Sequence, residues 1–222
     1  MERLWFDAGG IYIDANIRGG GEYGDGWHRA GALTHKQNVF DDFAACAGKL
    51  IQEKYTSASL LAIIGGSNGG LLMGAELTQH PEMFRVVVSF VGIYDMLRVE
   101  LDPNGQYNVL EYGTVKDPAQ FRALYGYSPY HHVKPGAKYP ATIFITGDND
   151  PRVNPAHSRK MLAALQAATA SGNPVMLLTS ANAGHGLSTD VSESMAQEAD
   201  IYAFVFAQLE MNVAPHGDVS RH

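Results

Sequence analysis

Cysteine is all but missing: Cys46 is the single one in 222 residues. That excludes an internal disulfide framework and predicts a reducing, cytoplasmic setting. Its apolar neighbours in FDDFAACAGKLIQEKY predict an inert core side chain. Positive charge is scarce too, with 16 Lys and Arg against 23 Asp and Glu and a formal net charge of −7. No basic stripe exists to replace phosphate counterions, which argues against nucleic acid. No apolar run reaches the length of about 18 residues needed to span a bilayer, and no leader pattern opens the sequence, so no membrane partner is expected. Repeats, low-complexity tracts and linkers are also lacking, and the length predicts one domain over 1–222.

What is present is alternation. Short β-branched apolar runs occur at 11–17, 59–65, 85–92, 141–147 and 174–180. Most are continuous in hydrophobicity, as strands covered on both faces read. Helical patterns lie near 36–54, 68–80, 118–126, 155–170 and 190–210. The expectation is an α/β fold, a mostly parallel sheet of about five strands with helices on both faces. Ligands in such folds bind beyond the carboxyl ends of the strands.

Three of those ends carry chemistry. The second run ends in Gly65-Gly66-Ser67-Asn68-Gly69 and passes into LLMGAELTQH, a G-x-S-x-G between strand and helix. That is the setting of a nucleophile elbow, with glycines flanking a serine in a strained turn. The N–H of Asn68, opening the helix, can face a developing oxyanion. His185, in NAGHG after the last strand, is placed to act as the base. The turn after the fourth run offers two acids, Asp148 and Asp150. With Asp150 taken, the chain order is Ser…Asp…His, that of α/β-hydrolases. Asp95 reads as a turn or cap residue, and His28, His35, His80 and His157 have no comparable setting. The tandem His131-His132 reads as a loop, without ligand spacing for a metal. Gly19-Gly20-Gly21-Glu22-Tyr23-Gly24 matches a dinucleotide fingerprint, but DGWHRAG after it is no helix start, so no cofactor is expected.

NIRGGGEYG (16–24), KQNVFDDF (36–43), GGSNGG (65–70), YSPYHHV (127–133), DNDPRV (148–153) and AGHG (183–186) together resemble the catalytic domain of the prolyl oligopeptidase family, peptidase family S9. The resemblance implies an α/β-hydrolase with Ser67 as nucleophile, Asp150 as triad acid, His185 as base, Asn68 N–H as one oxyanion donor and Arg152 as substrate anchor. It also implies a β-propeller over the site and a tyrosine as second oxyanion donor, neither represented in these residues. Asn108 stands where prolyl-specific members carry a proline-stacking tryptophan, and Asn149 and Pro151 replace a histidine and an acid. The family strand expected between the first and second runs is not represented either. The exposed edge predicts a homodimer, unless residues 4–6 fold back over it. The expected substrates are short peptides or small esters. A peptidase, a carboxylesterase and a non-catalytic binding remnant all remain open.

Overall fold

The computed structural model describes residues 2–186 and 190–211. Its sheet has four parallel strands in the order β1-β2-β3-β4: Ala62–Gly66, Val86–Phe90, Ala141–Gly147 and Val175–Ser180. Registers such as Ala62↔Val86, Val86↔Ala141 and Thr142↔Val175 bring all four carboxyl ends to one edge. Eight α-helices are described: α1 Glu2–Asp7, α2 Asp25–Arg29, α3 Gln37–Gln52, α4 Asn68–Gln79, α5 Gly105–Tyr112, α6 Pro118–Tyr127, α7 Ala156–Ala168 and α8 Val191–Gln208.

Successive strand residues point to opposite faces, and each face has its own cover. Ile63, Val87, Phe144 and Val175 pack with α3, α4 and α7 in the larger core. Val86, Val88, Ile143 and Ile145 pack with Ile201, Val205 and Leu209 of the α8 end. Trp5 of α1 folds back onto this second layer and stacks on Phe206, with centroids 5.9 Å apart. The expected α/β sandwich is present, with four strands in place of five.

The run 11–17 is not a strand. Ile11, Tyr12 and Ile13 are at least half exposed. An apolar groove of about 1100 Å³, lined by this run and by β1, lies between them. Backbone becomes strand only when a neighbouring strand pairs with it, and β1 pairs with β2 rather than across this gap. The open sheet edge is therefore that of β1, where Ile64 is 51% exposed. Two smaller expectations also fail. Cys46 is exposed at the groove rather than buried, because it lies on the side of α3 that faces it. Residues 25–29, expected not to start a helix, form the five-residue α2, with Asp25 and Arg29 paired at 2.7 Å. No described helix is long and apolar enough to cross a membrane.

One side chain in α4 conflicts with its surroundings. Glu76 of α4 is fully buried, and neither carboxyl oxygen has a hydrogen-bond partner. Burial, reinforced by the nearby Asp41 charge, pushes its pKa up to about 8, so it is neutral at pH 7. A folded-state pKa above the unfolded value means the folded chain keeps a proton that the unfolded chain releases. Stability is therefore greatest below the ordinary glutamate pKa of 4.5 and falls as pH rises toward 8. The slope of this contribution is at most about 1.4 kcal/mol per pH unit. Glu76→Gln removes the titration, so urea midpoints between pH 5 and 8 should flatten relative to the unaltered chain. An unchanged slope would show that Glu76 is ionised in the fold.

Candidate active site

At the end of β1 the chain reverses sharply into α4, and Ser67 sits at the reversal with φ 56° and ψ −113°. A residue with a Cβ is rarely held there, at a cost of about 1–3 kcal/mol. Packing enforces it. A Cβ on Gly65 would come within 2.5 Å of the Gly69 carbonyl oxygen, and one on Gly70 within 2.5 Å of Gly92 Cα. Gly69, the last glycine of the motif, has open space around its Cβ position, so the close approach is made at Gly70 instead. The Ser67 N–H donates to Phe90 O at 2.9 Å, tying the elbow to β2. Asn68 is the first residue of α4, so its N–H has no acceptor within the helix.

After β3 the chain makes a tight turn with a buried Asp150 inside it. One carboxylate oxygen accepts the N–H groups of Arg152 and Val153 at 2.8 and 2.9 Å. The other is 2.8 Å from His185 Nδ1. With the acid on that nitrogen, Nδ1 carries the proton and Nε2 is the basic atom. The histidine loop is fastened to the acid turn by the Asn149 side chain on Ala181 O (2.5 Å) and by Asn149 N–H on Ala183 O (3.3 Å). Asp148, the other acid considered, points away and pairs with Arg159 at 2.7 Å. Arg152 is exposed beside the turn.

Residues outside the expected set surround the elbow. Lys36, 1% exposed, bonds Glu111 at 2.7 Å, and its pKa is lowered by burial against the opposing pull of Glu111. The same carboxylate oxygen is 3.5 Å from the Asn68 side chain, and the other is 3.4 Å from His28 Nε2. Glu111 and Lys36 lie 75 positions apart, so no local pattern in the sequence pairs them. Asp95 opens a turn, as expected, its carbonyl accepting the Arg98 N–H at 3.2 Å, while its buried carboxylate is bonded by Lys160 and Arg98. His131 and His132 lie in a 3-10 turn and bond Ser128 and Tyr125 O. Among the described residues no group of acids, histidines and cysteines could hold a metal.

The Prolyl oligopeptidase family model matches residues 1–212. The chain belongs to the prolyl oligopeptidase family. It is 44% identical over 210 residues to a prolyl endopeptidase of Elizabethkingia miricola, covering 94% of this chain and 30% of that protein. It is 46% identical over 198 residues to a prolyl endopeptidase of Dictyostelium discoideum, covering 88% and 26%. A solved prolyl endopeptidase superimposes with a TM-score of 0.92 at 49% identity, over 94% of this chain and 31% of that one. Oligopeptidase B from Leishmania major superimposes with a TM-score of 0.91 at 31% identity, over 94% and 29%. The chain thus spans under a third of the length of these relatives.

The turn geometry separates the two acids experimentally. Asp150→Asn should lower ester hydrolysis by about 10⁴, because an amide at this position favours the wrong imidazole tautomer. Asp148→Asn should stay within a few-fold of the unaltered chain, since it removes only an ion pair with Arg159. The reverse pattern would reassign the acid.

Proposed function

We propose that the chain is a serine hydrolase that cleaves peptides through an acyl-enzyme, with Ser67 as nucleophile, His185 as base and Asp150 as the acid that orients it. Family membership supports the peptidase class, and the relatives are prolyl endopeptidases. The observation that carries the reading is the bond between buried Asp150 and part-buried His185, at the same sheet edge as a serine in a strained turn. His185 Nε2 takes the Ser67 proton as the hydroxyl oxygen attacks the substrate carbonyl. The tetrahedral oxyanion then forms near Asn68 N–H. Collapse expels the leaving group with the proton from His185, and water activated by the same imidazole releases the acid.

Arg152, exposed next to the acid turn, is proposed to bind a substrate backbone carbonyl. Asn68 N–H is the oxyanion donor we assign. Activated esters, whose leaving groups need less help, are the easier substrates for the same triad, and an esterase reading stands beside the peptidase one. Mixing the chain with p-nitrophenyl acetate should give a burst of about one p-nitrophenol per chain, then a slow steady rate. A p-nitroanilide of a short peptide should turn over more slowly than that ester. No burst, or an identical trace from Ser67→Ala, would favour a binding remnant.

A further inference from the structure

Helix α5 touches the candidate machinery at both of its ends. At its carboxyl end Glu111 meets the Asn68 side chain, next to the nucleophile. Just before its amino end, the Asn104 side chain donates to Pro151 O, within the turn that presents Asp150 and Arg152. Between these anchors Tyr107 is 70% and Leu110 85% exposed. A short helix carrying bare apolar side chains therefore runs from the nucleophile to the acid turn.

What holds its amino end is a buried histidine with no part in the steps above. His157 of α7 lies 6% exposed. Its Nδ1 is 3.2 and 3.1 Å from the N–H groups of Tyr94 and Asp95, at the exit of β2. Two donors on one ring nitrogen require a lone pair there, so the proton sits on Nε2. Nε2–H then donates to Asp102 Oδ2 at 3.0 Å. The second Asp102 oxygen takes the Asn154 side chain at 3.4 Å, again from the segment that follows the acid turn. The Asp95 carboxylate, the other charge nearby, is turned to Lys160 and Arg98 and leaves His157 to Asp102.

We propose that His157 and Asp102 form a clip that positions α5 and the Pro151–Arg152 backbone for binding the body of a peptide substrate, without acting on the chemistry at Ser67. The geometry separates the two roles. No atom of the clip bonds Asp150 or His185, yet the loop it fixes bonds the peptide group that precedes Arg152. Releasing Asp102 frees the α5 entrance and lets Tyr107, Leu110 and Arg152 drift from the positions a peptide would meet. A small acyl group, too short to reach them, would not register the change.

The inference rests on the serine-hydrolase reading, and one pair of substrates separates the two. p-Nitrophenyl acetate and a benzyloxycarbonyl-dipeptide p-nitrophenyl ester share a leaving group and differ only in the acyl body. Asp102→Ala should raise KM for the dipeptide ester about tenfold, the scale of one lost charge-assisted hydrogen bond, with kcat within twofold. Burst amplitude and rate on the acetate should not move. Asp102→Asn, which still accepts His157 Nε2–H, should restore the dipeptide KM to within twofold. If Asp102→Ala does not fold, His157→Asn, whose amide oxygen can replace Nδ1 but whose side chain is too short to reach Asp102, carries the same expectation. An unchanged dipeptide KM, equal losses on both esters, or an Asp102→Asn variant as impaired as Asp102→Ala would overturn the clip. Absence of any burst from the unaltered chain would overturn the hydrolase reading and the clip with it.

Discussion

Ser67 keeps a positive φ because two glycines let a helix lie where side chains would not fit. Gly65 admits the backbone of Gly69, and Gly70 admits the backbone of Gly92, so α4 is pressed against the ends of β1 and β2. That contact holds the turn tight and sets Ser67 directly before the free N–H groups that open α4. A looser turn would relieve the strain and lose that placement. The remaining site elements are arranged around this fixed point by the parallel register of the sheet, which brings the ends of β3 and β4 to the same edge.

Asp150 and His185 bond each other directly, and their turns are in contact. A Cβ on Gly147 would fall within 2.2 Å of Ala183 O, so the end of β3 and the histidine loop are in backbone contact. Asn149 closes the same gap with its amide. Asp150 is satisfied by two N–H groups of its own turn before it meets His185, so a buried carboxylate can remain in place without a cation beside it. The turn thus fixes the acid, the acid fixes the imidazole tautomer, and the loop fixes the imidazole's height above the sheet.

The strand-end turns were legible in the sequence because they sit in short local patterns: G-x-S-x-G, GDNDPRV and AGHG each announce a turn after an apolar run. Sheet and helices were legible for the same reason, through continuous apolar runs and helical spacing. The run 11–17 misled because an apolar pattern does not show whether a neighbouring strand is there to pair with it, and β1 lies across a groove from it. Helix α5 was missed because GQYNVLEY opens on a glycine and exposes apolar side chains, so its pattern resembles neither an amphipathic helix nor a strand. Gly105 is there because a Cβ would meet Val99 O at 2.2 Å, a contact invisible without the fold. His157 with Asp102 and Lys36 with Glu111 were hidden by separations of 55 and 75 positions. Asp95 was legible as a turn residue, but nothing local shows that Lys160, 65 positions on, reaches its carboxylate.

The account stands or falls on whether Ser67 is an activated nucleophile. A fluorophosphonate reacts with a serine only when a base takes its proton and an oxyanion site accepts the phosphonyl oxygen. Peptide mapping after labelling of the unaltered chain at neutral pH should find one adduct, on Ser67, and labelling should be lost in His185→Ala. No adduct on Ser67, or equal labelling with and without His185, would contradict the mechanism derived from this geometry.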